Sequence, residues 1–246
     1  KTDFNVSPYF DDFTEDKKFH RVMYRPAFAV QARELTTQQS ILQNQIEKLG
    51  DAMYKHGSMI IPGETTYDLN HFSIKLTSFT GTLANFTDTV ITGGTSGVTA
   101  TVKSVSATDG TDPDTLFVKY SNSGTDNVSA SFTDGETITS SAATGETAVV
   151  SSSHTGCAAF IDAGTYYING FFVEVESQSL ILDKYTNTPD YRVGLTVTEN
   201  FITSTDDTSL LDNATGSSNA NATGAHRFKI DLTLAKLSLT STADAS

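Results

Sequence analysis

The sequence is poor in cysteine, tryptophan and basic residues. Its 246 residues include one cysteine and no tryptophan, and 16 lysines and arginines stand against 29 aspartates and glutamates. The single Cys157 excludes an intramolecular disulfide. A net charge of -13 leaves no basic surface to displace counterions from phosphate, so we expect no nucleic-acid partner. No run approaches the roughly 20 apolar residues that cross a bilayer, and no apolar leader is visible, so we expect no membrane insertion.

Signatures of catalysis and metal binding are also scarce. The histidines show no pair at a spacing of three or four: they are His20, His56, His71, His154 and His226. Cys157 follows His154 by three residues on one presumed strand, whereas catalytic pairs come from distant segments. Asp109, Asp112 and Asp114 share a turn that lacks calcium-loop spacing, so a solvated turn is favoured over a cation site. We therefore predict no enzyme, no cofactor and no metal.

A heptad pattern marks the one segment with helical periodicity. The helix is predicted over residues 28–57, with 28–50 as its clearest part. Its seam positions are Ala32, Leu35, Gln39, Leu42, Ile46, Leu49 and Met53. This is a coiled-coil pattern of about three heptads. The alternative is an amphipathic helix lying on its own domain. Because the rest of the chain shows strand patterns and offers no second helix, we predict that the stripe contacts another copy of the chain.

The first 27 residues show neither helical nor strand periodicity. Aromatic residues there are interspersed with the acidic Asp11, Asp12, Glu15 and Asp16. We predict an extended docking arm that inserts Phe10, Phe13 and Phe19 into a groove of another protein. The arm is expected to be disordered in the isolated chain. The alternative is an arm folded back onto the chain's own sheet.

Beyond the helix the apolar residues alternate with polar ones. This period of two predicts strands at residues 72–76, 193–197 and 228–234. The strongest local signal is GTYYINGFFVEV, in which Asn169 and Gly170 suit a type I′ hairpin turn. The turn fixes a register that pairs Ile168 with Phe171, Tyr166 with Val173, and Tyr167 with Phe172. Tyr167 and Phe172 then form a second apolar surface of the hairpin, which we expect to be covered.

The region 81–153 is rich in Thr, Ser, Gly and Asp and contains an internal repeat. FTDTVITGGTSGVTATV at residues 86–102 matches FTDGETITSSAATGETAVV at residues 132–150. Each copy predicts a hairpin, and two such short hairpins should pack together. We predict a small β module inserted into a main antiparallel β domain made of residues 58–80 and 154–246. The fold class is therefore mainly β, with an extended N-terminal arm and one long coiled-coil-like helix.

Several long runs resemble a known family. They are the run from DFNVSPYF to SMIIPG at residues 3–63, GTYYINGFFVEVESQSLILDKYTNTPDYRVGL at 164–195, DTSLLDNATGSSN at 207–219 and GAHRFKIDLTLAK at 224–236. These runs resemble structural proteins of long-tailed bacteriophages, many of them phages of cyanobacteria. Such proteins are virion, baseplate or tail-fibre components. The resemblance implies a location in the phage tail more firmly than it implies a mechanism.

We accordingly predict a non-enzymatic virion protein that links baseplate to fibre through its arm and helix. Its partners would be other copies of itself, as a homotrimer, and baseplate or tail-fibre proteins, and it would be made in the host cytoplasm. The alternative is an adhesin whose inserted module contacts glycan on the host cell surface, and a third reading is a hydrolase of surface polysaccharide. We also expect both ends to be cut from a longer polypeptide.

Overall fold

The chain is mainly β, with antiparallel sheets. The computed structural model describes residues 2–142 and 144–242, and among them the one α-helix is α1, Ala32–Met53. Short 3-10 helices lie at Glu15–Lys17, Leu83–Phe86 and Thr208–Leu210. The strands are β1 (Met59–Ile61), β2 (Thr65–Phe79), β3 (Val90–Gly93), β4 (Thr99–Ser106), β5 (Thr115–Asn122), β6 (Thr137–Ser140), β7 (Thr147–Ile161), β8 (Gly164–Ile168), β9 (Phe171–Val175), β10 (Gln178–Asp183), β11 (Tyr191–Ile202) and β12 (Arg227–Ser238).

The chain divides into two compact units. Unit 1 contains the described part of Lys1–Glu64 together with Ile161–Gln178 and Leu195–Leu234. Unit 2 contains Thr65–Phe160, Ser179–Gly194 and the described residues from Ala235 onward. These bounds do not coincide with the predicted insertion at residues 81–153. The physical reason is that β2, outside that segment, forms main-chain hydrogen bonds with β5, inside it.

Unit 2 is built on a closed sheet. Its strand order is β10-β7-β2-β5-β4-β3-β6, and β6 pairs in addition with β7, so six strands complete a ring. The long strand β7 makes this closure because it pairs with both β6 and β2. Fully buried apolar side chains fill the core: they include Ile74, Phe86, Ile91, Leu116, Ile138 and Val150. Ile74 and Leu76 are buried on β2, as its alternating pattern predicts.

The internal repeat forms two hairpins in unit 2. The first is β3 with β4, the second is β6 with β7, and β3 pairs with β6 so that Thr92 lies opposite Thr139. These two threonines occupy equivalent repeat positions, so the hairpins are related by a local twofold axis. Equivalent apolar residues are buried alike, as in Ile91 and Ile138. Pairing through β3 and β6 is how the two short hairpins pack together.

Unit 1 contains α1, a three-stranded sheet in the order β1-β8-β9, and the greater part of the β11–β12 ribbon. The hairpin β8–β9 has the predicted register at all three pairs. Asn169 and Gly170 have φ values of 49° and 92°, so both central residues of the turn adopt the positive φ of a type I′ turn. The Asn-Gly prediction is confirmed.

Neither α1 nor any other helical segment within the described residues is long and apolar enough to cross a membrane.

Candidate functional site: the helix and pocket of unit 1

The polar side of α1 packs against its own unit. Thr37 and Ser40 donate hydrogen bonds to the carboxylate of Asp11, which is buried. Gln43 Nε2 donates to the carbonyl oxygen of Gly170 at 2.8 Å. Most of the intramolecular contact of this helix is therefore made by small and polar residues, with Ile41 as its one buried apolar side chain, whereas an ordinary amphipathic surface helix buries its apolar stripe.

Gly50 is the point of closest approach between α1 and the β8–β9 hairpin. A Cβ at this position would lie 2.5 Å from Tyr167 Cε2, so a side chain has no room there. The Tyr167 hydroxyl donates to the Glu47 carbonyl oxygen at 2.9 Å and lies 2.8 Å from Asp51 Oδ1. Burial, followed by the Asp51 carboxylate, raises the pKa of Tyr167 to about 12.

The predicted hairpin surface is thus divided. Tyr167 is buried under the chain's own helix, while its cross-strand partner Phe172 remains half exposed and has its ring edge against Tyr54. The sequence predicted a cover for both residues. The cover over Tyr167 is α1, and it was missed because a helix that packs by its glycine and polar side leaves no apolar signal on that side.

The apolar stripe of α1 is exposed in the single chain. Five large apolar residues of the stripe are 46–63% exposed: Leu35, Leu42, Ile46, Leu49 and Met53. The seam residues Ala32 and Gln39 are exposed as well. Ile41, on the opposite side, is 3% exposed. All seven seam residues are therefore exposed in the single chain, and none is part of its buried core. A second copy against this stripe stays a prediction.

The N-terminal arm folds onto unit 1 instead of extending freely. The Phe4 ring lies 4.9 Å from that of Phe228, and Tyr9 stacks on Phe201 at 5.0 Å. The Tyr9 hydroxyl is 2.7 Å from His226 Nδ1. This arrangement differs from the expected docking arm, because the chain supplies its own aromatic surface for the first part of the arm.

The folding of the arm leaves its three predicted docking residues with different degrees of exposure. Phe10 and Phe19 are 56% and 61% exposed, whereas Phe13 is half-buried. Further along, the irregular segment 19–30 exposes several large apolar side chains: Phe19, Met23, Tyr24, Phe28 and Val30. This second exposed stretch has no strand or helix periodicity, and sequence patterns gave no reason to separate it from the arm.

The arm, the helix, the hairpin tip and the β11–β12 ribbon enclose a pocket of about 340 Å³ in unit 1. Its aromatic walls are Phe4, Tyr9, Phe13, Phe171, Phe201 and Phe228. Its polar lining is Asp11, Thr36, Gln39, Ser40, Gln43, Asn44, Glu47, His226 and Arg227. The sequence did not predict this pocket, because its walls come from four separated segments that long-range packing brings together.

In unit 2, Lys184 lies against the acidic turn. Its Nζ is 3.1 Å from an Asp109 carboxylate oxygen and 3.0 Å from one of Asp112. The backbone N–H of Asp112, followed by Lys184, lowers the pKa of Asp109 to about 2. A lysine ammonium therefore supplies the positive charge at this turn. Among the described residues, no group of three or more His, Cys, Asp and Glu side chains has the arrangement of a metal site.

Cys157 and His154 lie on the same strand of unit 2 at a spacing that directs them to opposite faces. Cys157 is fully buried, and burial raises the pKa of its thiol. His154 Nε2 is 2.8 Å from Ser152 Oγ. The strand geometry therefore gives no nucleophile and base pair here.

The fold and these surfaces define a mainly β protein with an exposed heptad stripe and an aromatic pocket. A family model described as "Domain of unknown function (DUF4815)" matches residues 7–128 and 119–244, and the chain belongs to this family. No curated protein matches the chain. No solved structure matches it either.

Proposed function

We propose that the chain is a non-enzymatic structural protein of a phage tail, in which the helix joins copies of the chain and the arm region attaches them to a baseplate or fibre protein. The resemblance of residues 3–63, 164–195, 207–219 and 224–236 to phage tail proteins supports the location. The exposed stripe of α1 supports the mode of assembly.

The observation that carries this proposal is the inverted packing of α1. Its polar side makes the intramolecular hydrogen bonds, and its leucine stripe faces outward. Burying one large apolar side chain contributes about 1.5–3 kcal/mol, so five exposed together leave a large driving force for association. A second copy is the occupant that fits, because a heptad seam is complementary to itself.

Three copies are proposed for the assembly. A threefold protein suits a fibre that meets a sixfold tail. The seam alone does not fix the number of copies, because Leu at one seam position and Ile at the other is also compatible with dimers. Three heptads are marginal as an isolated coil, so contacts outside the seam must add stability. The exposed apolar segment 19–30, directly before α1, is available for such contacts.

The arm region is the proposed attachment to the tail. Phe10 and Phe19 remain exposed although Phe4 and Tyr9 are occupied within unit 1. The folded start of the arm would thus hold the neighbouring exposed residues in place for a partner. A baseplate or tail-fibre protein with an apolar groove and a basic rim matches this acidic, aromatic segment.

The seam is tested by Leu42→Asp. A buried leucine lost at such a contact costs about 2–5 kcal/mol, so the variant should be a monomer where the wild-type chain is an oligomer. Analytical ultracentrifugation and light scattering measure the mass, and circular dichroism verifies that α1 still forms. Incorporation into phage particles should be lost with the oligomer.

The matched control is Val128→Asp, which makes the same change at an apolar residue that is 82% exposed in unit 2. This variant should keep the wild-type mass. A monomeric wild-type chain, or an oligomeric Leu42→Asp variant, would contradict the proposal.

The adhesin alternative needs an exposed aromatic or polar pocket within residues 86–150. The aromatic residues Phe86, Phe117 and Phe132 of that region are buried, and Tyr120 is partly buried. The large apolar side chains that this region exposes are the aliphatic Val90 and Val128. We therefore do not propose a glycan site in that region.

A further inference from the structure

The aromatic side chains of the unit 1 pocket have an unusual degree of exposure. All six are half-buried, and none is closed off as a core residue would be. Phe4 contacts Phe201 and Phe228 edge to face, and the rings of Phe201 and Phe228 are tilted at 52°, with all three centroid separations between 4.9 and 5.9 Å. The cluster is therefore packed on one side and open on the other, as in a site that receives a ligand.

The polar lining faces this cluster from the helix. The amides of Gln39, Gln43 and Asn44 lie on two neighbouring turns of α1. Within the chain Gln43 Nε2 donates to Gly170 and Asn44 Nδ2 donates to Glu15. Amide groups supply both donors and acceptors, which suits a ligand with several hydroxyl groups. The guanidinium of Arg227 adds further donors on the ribbon side.

The charges of the lining restrict the ligand. Asp11 and Glu47 contribute two carboxylates against the one guanidinium of Arg227. A phosphate or another strong anion would meet net repulsion in this pocket. A purely apolar ligand would leave the polar side of the pocket without hydrogen bonds, which is costly.

Hydrogen bonds within the chain hold the walls of the pocket in position. Asp11 fixes the arm to α1 through Thr37 and Ser40. Asn169 Nδ2, at the hairpin tip, donates to Glu199 of the ribbon at 2.9 Å. Because the walls are fixed in advance, binding needs little additional ordering.

We propose that this pocket binds a neutral pyranose sugar. The aromatic faces would pack against the C–H face of the ring, and the helix amides would bind its hydroxyl groups. A volume of about 340 Å³ lies at the lower end of the range of small-molecule sites, about 300–1,000 Å³. The aromatic walls lie outside the heptad seam, and Gln39 is the one lining residue that the pocket shares with the seam.

The test uses the full chain and saturation-transfer-difference NMR with glucose, galactose, mannose and N-acetylglucosamine. At least one sugar should give a saturable signal. Phe201→Leu keeps apolar volume but removes an aromatic face, and it should weaken binding about tenfold. Arg227→Ala changes an exposed position, leaves the aromatic walls intact and should weaken binding severalfold.

The matched control is Phe172→Leu, at an exposed phenylalanine of the β8–β9 hairpin that does not line the pocket. It should bind as the wild type does. Absence of a signal from all four sugars, or wild-type binding by both pocket variants, overturns the proposal. If the NMR resonances of pocket residues shift with protein concentration and not with sugar, a side chain of a second copy occupies the pocket. This result would also overturn the proposal.

Discussion

Glu136 shows how one buried carboxylate can organise a turn. Its oxygens accept hydrogen bonds from the backbone N–H groups of Thr95, Ser96 and Thr133, at 3.0, 2.9 and 2.7 Å. The Ser96 hydroxyl donates a fourth at 2.8 Å. Burial favours the neutral acid, but these donors outweigh it and lower the pKa of Glu136. The first hairpin turn of the repeat is thus held by a residue of the second copy.

The variant Glu136→Gln should destabilise unit 2 by about 1–3 kcal/mol. The NH2 group of the glutamine would face backbone N–H groups and could not accept their hydrogen bonds. Urea unfolding measures the loss. The lowered pKa means that the carboxylate stabilises the fold above its unfolded pKa of about 4.3, and that this stability is lost as the pH falls through the folded pKa. The variant should therefore lose less stability on acidification than the wild type.

Asp134→Asn, at an exposed position two residues away, is the control and should change the stability by under about 0.5 kcal/mol. Equal stability of Glu136→Gln and the wild type would show that the four hydrogen bonds are replaced by water without cost.

At the scale of elements, sequence patterns predicted the features that depend on a few neighbouring residues. The Asn169–Gly170 turn and its register follow from the backbone requirements of two residues, and the burial of Ile74 and Leu76 follows from alternation. The seam residues of α1 lie on one exposed side, as a heptad requires. The side by which α1 contacts its own unit could not be predicted, since it depends on Gly50 meeting a tyrosine 117 positions later, at Tyr167 (167 minus 50).

Gly50→Ala tests that contact. Alanine favours an isolated helix over glycine by about 1 kcal/mol, but here its Cβ would lie 2.5 Å from the Tyr167 ring. We expect a net loss of about 1–3 kcal/mol because the helix must shift away from the hairpin. Circular dichroism at 222 nm during urea unfolding follows α1 directly.

Gln45→Ala, an exposed position on the same helix, should leave the unfolding midpoint within the error of the wild-type value. If Gly50→Ala were as stable as this control or more stable, the close packing of helix on hairpin would not hold in solution.

At the scale of the whole molecule, both hairpins of the internal repeat are part of the closed sheet of unit 2. The repeat in residues 86–102 and 132–150 was visible in the sequence, and so were its hairpins. The sequence did not show that these hairpins join β2 in one closed sheet, because the partner of a strand is set by long-range packing and not by the strand's own pattern. The aromatic pocket was missed for the same reason.

Joining residue 80 directly to residue 154 tests the ring. The deletion removes β3, β4, β5, β6 and residues 147–153 of β7, and it leaves β2 without its hydrogen-bonded neighbour β5. Unit 2 should therefore lose its fold, and proteolysis should degrade residues 65–79 rapidly. An insertion of three glycines after Gly110, in an exposed turn, is the control and should be tolerated. A protease-resistant deletion variant would show that the segment is a separate module.

The walls of the pocket also set an order of events during synthesis. Phe4 and Phe228 contact each other although 224 positions separate them along the chain (228 minus 4). The ribosome releases the N-terminal arm long before its ribbon exists, so the arm cannot reach its final place until residue 228 has been translated. Until then the arm's aromatic rings lack their partners from the ribbon. During each round of translation, nascent chains on one messenger RNA can therefore associate through these segments. A chaperone or slow initiation of translation would limit such premature association.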